Sequence, residues 1–512
     1  MGRTFYVTTP IYYPNDVPHV GHAYTSILAD VVARYRRALG EDVFFLAGLD
    51  EHGQKVEEAA RKRGKAPQEH CDEMAERWKA VWKSLSISYD DFVRTTEPRH
   101  EAVVQAVLQD LWNKGEIYVA DYEGWYSTSA EVFVTEKEIE EGGLDRSTLK
   151  RIAERNYFFR MGRRRDQLLA HIEANPGFLT PDFRRNEVVG FLKQELSDLC
   201  ISRPKARLSW GVPLPFDPEY VAYVWFDALL NYATVAGLHS DIVKFARLWP
   251  PDLQVMGKDI LTTHAVYWTT MLLSMRIELP RRILAHGWWT TRGDKMSKSV
   301  GNVLDPLALA ERHGPDALRY FLMRDMVVGH DAEFTEERFR GRYEADLGNE
   351  FGNLLSRVVT MIGKFAEGRV PIPARPAGGP SEPRDAAAAL EKSLRGLVEE
   401  VAIHKVCEAA MGVLRAGNRH VDATQPWKAA KDPAREGEVR DALYTIAESV
   451  RVAAAALEPV LPSACAKALA QLGAPPSGDL RTALSWGGLV PGARTLPGDV
   501  LFPRREDAPG AP

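Results

Sequence analysis

The residues best placed to do chemistry fall in two short runs. His19-Val20-Gly21-His22 stands near the start of the chain, and Lys295-Met296-Ser297-Lys298-Ser299 stands far downstream. Either run alone is a weak signal: a four-residue His-x-Gly-His arises often by chance, and a Lys/Ser-rich pentad is ordinarily a solvated loop. Together, in this order, they point to nucleotidyl transfer from ATP.

The elements around the first run say how it would be held. Phe5 to Thr9 reads as a short half-buried strand, and Pro10, Pro14, Asn15, Asp16 and Pro18 then interrupt regular structure. From His22 the pattern becomes helical, with Ala23, Ile27, Val31, Tyr35 and Leu39 on one face and Gly40 as the stop. Val43 to Ala47 is a second apolar strand. This β-α-β order predicts an α/β protein with a parallel sheet and helices on its faces. His19 and His22 then sit at the first turn of a helix, where unpaired N–H groups and the helix dipole favour phosphate. Gly21 removes a Cβ that would block a nucleotide. Taken alone, the histidines could equally be mere helix caps.

Ile283 to His286 reads as a further strand, and Gly293 and Gly301 flank the lysine run as hinges. A loop of this kind can close over triphosphate and bring Lys295 and Lys298 to the charge that develops on departing pyrophosphate. Lysine suits the task as a compact, mobile point charge.

Further motifs stand in the same chain order. They are Thr8-Thr9-Pro10-Ile11-Tyr12-Tyr13, Gly48-Leu49-Asp50-Glu51-His52-Gly53, Tyr223-Val224-Trp225-Phe226-Asp227-Ala228-Leu229 and Gly257-Lys258-Asp259-Ile260. With the two ATP-related runs they make the chain resemble the class I aminoacyl-tRNA synthetases, and within them the methionyl-tRNA synthetases, from about residue 3 to beyond Trp427. The resemblance implies a Rossmann-type nucleotide-binding domain, a connecting insertion and a C-terminal α-helical bundle that binds the anticodon. It assigns ATP to His19, Gly21, His22, Asp259, Lys295, Ser297 and Lys298, with His19, His22, Lys295 and Lys298 catalytic. It places Ile11, Tyr13, Trp225, Ala228, Leu229, Tyr232, Ile260 and His264 around a methionine side chain, a polarizable thioether that suits aromatic edges. Without the family, Trp225 and Tyr232 are ordinary core aromatics. Asp50 is the natural partner of the substrate ammonium, because it follows a strand whose carboxyl end faces the crevice of an open sheet; as an isolated residue it could be a helix N-cap. Leu49 replaces the threonine usual before this Asp, which is expected to be a minor adjustment.

Composition agrees with these expectations and would not have produced them. The 512 residues, 45% hydrophobic, can bury a large core in several domains, and the net charge of −5 excludes a globally basic nucleic-acid binder. No apolar run approaches a membrane span, no leader pattern precedes the first strand, and four scattered cysteines suit a reducing cytoplasm. Pattern changes divide the chain into a first catalytic half (1–114), a connective insertion (115–221), a second catalytic half (222–286), a linking segment with the lysine run (287–345), a helical domain (346–488) and a Pro/Gly/Arg-rich, partly mobile tail (489–512). The stretch Pro371 to Pro383 is expected to be an exposed connection between helices.

Many family members hold a structural zinc in this insertion through Cys-x-x-Cys pairs. Here Ser127 and Ala130 stand where the first pair would lie, and no cysteine occurs between Cys71 and Cys200. The expectation is therefore no zinc, with packing around Trp125, Tyr126, Phe133, Tyr157 and Phe158 in its place. Arginines 151, 155, 160, 163, 164 and 165 form a solvated face or touch the acceptor end of tRNA.

The implied reaction has two steps. The methionine carboxylate attacks the α-phosphorus of Mg-ATP, giving methionyl-adenylate and pyrophosphate, and the terminal ribose of tRNA(Met) then attacks the mixed anhydride. The insertion is too short for a separate editing domain, so rejection of homocysteine would fall to the synthetic site. Asn353 and Arg357 share a helix face, and Trp427 follows Gln425-Pro426 at a helix start. By resemblance these read the anticodon; by spacing alone they are solvated or packed. The chain lacks the β-barrel some relatives append, so a cytoplasmic monomer is expected. Three rivals remain: another class I synthetase, which the short insertion and the absence of a Cys-rich zinc pocket disfavour, a small-molecule adenylyltransferase, and a non-catalytic RNA-binding paralogue. Methionine-dependent ATP–pyrophosphate exchange separates them.

Overall fold

The computed structural model describes residues 4–127, 132–134, 139, 146, 149–291, 293–295 and 304–503. The chain forms two compact units. The first comprises Met1–Val17, Phe44–Ala80 and Tyr89–His286, and the second Pro18–Val43, Val81–Ser88 and Gly287–Pro512.

The first unit is built on a six-stranded sheet: β1 (Phe5–Thr8), β2 (Val43–Leu49), β3 (Asp91–Arg94), β4 (Leu179–Thr180), β5 (Leu253–Gly257) and β6 (Ile283–His286), in the spatial order β3-β2-β1-β5-β6-β4. β1 pairs parallel with β5, β5 with β6, β6 with β4 and β2 with β3. β5 and β6 are buried at every residue, as strands covered on both faces of a parallel sheet are. The order reverses direction between β1 and β5, and ligands of open parallel sheets bind beyond the carboxyl ends of the strands at such a switch.

The stretch 115–221 supplies β4, the edge strand of this sheet. It also forms a long antiparallel pair, Ile117–Ser127 with Leu149–Phe159, and a small sheet of Ser202–Pro204, Pro213–Leu214 and Asp217–Ala222. Tyr157 packs against Trp112, Phe216 and Tyr220, Phe158 stacks on Tyr118, and Trp125 lies against Ile139 and Leu149. Tyr126 is buried beneath the guanidinium groups of Arg203 and Arg207. Of the arginine run, Arg151 pairs with Glu123, Arg160 lies over Tyr118, Arg164 pairs with Glu116 and Arg165 with Asp166. These partners lie within the protein, and they account for the run largely as surface structure.

In the second unit, α1 (Val20–Ala38) is fixed by a fully buried ion pair. Asp30 accepts from Arg319 at 2.7 Å, from Arg34 at 2.8 Å and from the Ser88 backbone and hydroxyl. Arg319 also donates to the carbonyls of Leu85, Pro459 and Val460. Burial opposes the Asp30 charge, but Arg319 and Arg34 hold its carboxyl below the usual carboxylate range. Trp289–Thr291 pairs antiparallel with Asp294–Lys295 and parallel with Ala332–Glu333. Helices then dominate, packed around Glu436–Leu457, which is buried at every residue from Asp441 onward and carries the buried polar groups Asp441, Glu448 and Arg451 among its alanines and valines.

The tail departs from expectation over its described part. Residues 489–503 are tied down: the Val370 N–H donates to the Ala493 carbonyl and the Gly492 N–H donates to the Val370 carbonyl, Phe502 packs on Tyr343 and Phe351, and Glu448 accepts from the backbone of Gly487, Gly488 and Leu489. Pro and Gly signalled irregular backbone there. They could not signal that the irregular backbone packs against helices.

Candidate active site

The second unit contains the histidine run. His19 is the N-cap of α1 and His22 its third residue. His19 Nδ1 accepts from the Gly21 N–H at 3.0 Å, and His22 Nδ1 accepts from the His19 N–H at 3.3 Å. Two imidazoles thus build the reciprocal capping arrangement usually made by Ser/Thr and Glu. Their rings stack with centroids 3.7 Å apart. Because each Nδ1 accepts, the proton of each ring in its neutral form lies on Nε2.

This corrects one expectation. The first-turn backbone is not open to phosphate: Gly21 donates to His19, and Val20 donates to the Leu304 carbonyl at 3.1 Å. The histidines do cap the helix, and capping is what orients their Nε2–H groups. Gly21 also serves the turn itself. A Cβ there would stand 2.8 Å from Cε1 of His19, so glycine is what lets the ring fold over the turn.

Both flanks of the lysine run are fixed to α1. Upstream, the Trp289 ring packs edge-on against Tyr24 at 6.1 Å; downstream, Leu304 holds Val20. Gly293, at φ +81°, turns the hairpin in which Lys295 pairs with Thr290. Met296, Ser297, Lys298, Ser299 and Gly301 lie outside the described residues.

In the first unit, the residues assigned to an amino-acid side chain come together beyond the carboxyl ends of β1, β2 and β5. Tyr13 meets Trp225 edge-on at 6.5 Å, and Trp225 meets His264 edge-on at 6.3 Å. Ala228 and Leu229 are buried on the same short helix, Val224–Leu229. Ile11, Tyr13, Trp225, Leu229, Tyr232 and Ile260 all belong to one apolar cluster. A Cβ at Gly48 would lie 2.3 Å from the Val93 carbonyl oxygen and 2.9 Å from Cγ2 of Ile11, so glycine there lets both the neighbouring strand and Ile11 close on β2. Asp50, buried at the end of β2, donates its N–H to the Tyr12 carbonyl. Leu49 is buried in the strand and bridges Tyr12. Asp259 is exposed on the turn Lys258–Ile260 that follows β5.

His264 lies in a π-helical stretch, Thr263–Trp268, a widened turn of the sort found at functional sites. Its Nδ1–H donates to the Ile260 carbonyl and its Nε2 accepts from the Tyr232 hydroxyl, each at 2.9 Å. Burial pushes the imidazole down to about 4, so it is neutral at physiological pH.

Behind this cluster is a group that motif reasoning left without a role. Asp227 accepts from His52 Nδ1 at 2.6 Å and from His100 Nε2 at 2.7 Å. Burial opposes its charge, yet the two imidazoles hold its carboxyl down at about 2. The presence of His52 and Asp227 inside quoted motifs was the available signal.

Residues 5–143 and 144–359 match the family model described as tRNA synthetases class I (M). The methionine–tRNA ligase of Streptomyces coelicolor is 41% identical over an alignment of 531 positions that covers 99% of this chain and 98% of that one. The chain belongs to the methionine-type class I tRNA synthetases. The methionine–tRNA ligase of Caldanaerobacter subterraneus is likewise 41% identical over 509 residues, covering 98% of this synthetase and 79% of the relative. Among solved structures, Mycobacterium tuberculosis methionyl-tRNA synthetase in complex with methionyl-adenylate superposes with a TM-score of 0.92 at 40% identity. That match covers 98% of this chain and all of the other. The free form of the same enzyme gives 0.84 at 38% identity, covering 99% of each chain.

In the helical part of the synthetase, Asn353 is exposed at the start of Asn353–Phe365, one turn before the half-buried Arg357. Arg357 reaches Asp422 at 3.5 Å, near the end of Ile403–Thr424, and the chain then turns through Gln425-Pro426 to Trp427, 37% exposed. Among the described residues no cluster of three or more His, Cys, Asp or Glu could hold a metal ion, and no helix is long and apolar enough to cross a membrane. Ala130, at a position tied to the zinc question, lies outside the described residues.

Proposed function

We propose that this chain is a methionine–tRNA ligase that converts L-methionine and ATP to methionyl-adenylate and then charges tRNA(Met), releasing AMP. The observation that carries the reading is the gathering of Ile11, Tyr13, Trp225, Ala228, Leu229, Tyr232, Ile260 and His264 beyond the carboxyl ends of β1, β2 and β5, with Asp50 joined to them through Tyr12. Aromatic edges and a neutral histidine suit a thioether, and the Asp50 carboxylate suits an ammonium.

In the first step a methionine carboxylate oxygen bonds to the α-phosphorus as the bond to the β-phosphate oxygen breaks. The electron pair leaves with pyrophosphate. The Nε2–H groups of His19 and His22 donate to phosphate oxygens, while Lys295 and Lys298, with Ser297 beside them, neutralise the charge on the leaving group. Asp259 holds the adenosine ribose. Positioning and electrostatics supply the acceleration, and no covalent enzyme intermediate is required. In the second step a ribose hydroxyl at the tRNA terminus attacks the carbonyl carbon, and AMP departs.

Magnesium enters with ATP as part of the substrate, and the insertion works without zinc. Trp427 offers a stacking plane, and Asn353 and Arg357 offer donors, to splayed anticodon bases. The catalytic work belongs to 1–114 and 222–286 with the linking segment 287–345, and tRNA reading to 346–488. The synthetase acts as a cytoplasmic monomer. The test is ATP–pyrophosphate exchange across the amino acids: methionine alone should support it, and exchange with a different acid in its place would defeat the proposal.

A further inference from the structure

Asp227 sits in the helix that carries Trp225 and Ala228, yet its fully buried carboxylate points to neither. It binds three segments together. His52 belongs to the loop leaving β2 and stands close after Asp50; His100 belongs to the helix Pro98–Asn113 and also meets the Thr234 hydroxyl at 3.2 Å. The other charged groups near His52 are Glu101, 3.8 Å from Nε2, and Glu51, which is itself paired with Arg94. A buried charge cluster is not needed merely to hold helices against a sheet, since apolar side chains of similar volume do so as well or better. What such a cluster adds is direction, because hydrogen bonds of 2.6 and 2.7 Å fix two imidazoles against one carboxylate. Burial works against a charge on His52, but the Asp227 carboxylate outweighs it and raises the imidazole above its ordinary value.

We infer that Asp227, acting through His52, is a positioning residue for methionine: it sets the Asp50 loop against the Trp225–Ala228 helix so that ammonium and side chain are held at once. The inference rests on the roles proposed above for Asp50 and Trp225. Neither His52 nor Asp227 touches substrate in this scheme. Loss of the link should therefore weaken methionine selectively and spare ATP.

The experiment measures ATP–pyrophosphate exchange by the full-length protein, with methionine and ATP varied separately, for wild type, His52→Ala and His52→Asn. The Asn amide nitrogen falls near the position of Nδ1 and keeps the donor to Asp227. His52→Ala should raise the methionine KM about tenfold or more while the ATP KM stays within about twofold, and His52→Asn should recover most of the loss. His100→Gln, which keeps a donor near Nε2, should leave both constants near wild type. An unchanged methionine KM in His52→Ala overturns the inference, and so does an equal rise in both constants that Asn fails to rescue. Wild-type protein without methionine-dependent exchange would instead defeat the functional proposal itself.

Discussion

The backbone N–H of Val20, the residue after His19, donates to the carbonyl of Leu304, the first described residue beyond the lysine run, at 3.1 Å. The chain leaving the lysine run is therefore tethered to the turn that carries the His19 and His22 imidazoles. Trp289 against Tyr24 tethers its entry. Both described ends of the segment that carries the lysine run are thus fixed to α1, and under the function proposed above the positions of those ends set where its charges can act.

Removing the charge should show this. Lys298→Ala is expected to slow adenylate formation by about two to three orders of magnitude, as loss of transition-state charge stabilisation does. Methionine affinity, measured by calorimetry, should stay near wild type. Equal loss of both would make the loop structural.

Gly21→Ala places a methyl group 2.8 Å from His19 Cε1, inside contact distance, so the ring must leave its place over the turn. The variant should fold, since alanine favours helix. Its exchange rate should fall at least tenfold, mainly through ATP. A variant as active as wild type would show that the folded-over His19 ring is irrelevant.

His264 makes a pH prediction with a definite sign. Its folded value of about 4 lies below the ordinary 6.5, so the unfolded chain takes up a proton that the folded chain refuses. Stability should fall as pH drops from about 6.5 towards 4, by about 2–3 kcal/mol at pH 4.5 from this group alone. His264→Gln should lack that part of the slope in urea midpoints taken at pH 7 and 4.5.

Trp427→Ala removes an exposed aromatic face at the end of the helical bundle. Base stacking is worth about 1–3 kcal/mol, so the tRNA KM should rise about 5- to 150-fold in aminoacylation. ATP–pyrophosphate exchange without tRNA should not move. A tRNA KM unaffected by the change would remove Trp427 from anticodon reading.

Glu448 offers a stability test away from the site. It is buried, pairs with Arg451 at 2.6 Å and accepts from three consecutive backbone N–H groups. Glu448→Ala leaves an uncompensated guanidinium and should cost about 3–5 kcal/mol in denaturant unfolding. A loss below about 1 kcal/mol would mean that the chain beyond Leu484 is held by its apolar contacts alone.

Local physics made much of this protein legible from its residues. Short runs rich in apolar and β-branched residues marked β1, β2 and β6 as strands. Helical spacing fixed α1, and the order of six motifs named the family. What the chain alone could not disclose depends on partners distant in sequence. Leu179-Thr180 is too short to read as a strand until Ile283 and Leu284 supply its hydrogen bonds. The π stretch around His264 follows from tertiary packing that no residue pattern marks. Nor does composition reveal that Asp227 would draw His52 and His100 to one carboxylate, or that Leu304 would close on Val20. Spacing along a chain encodes a face or a turn; which faces meet, and which buried charges then need each other, is decided only when the whole chain packs.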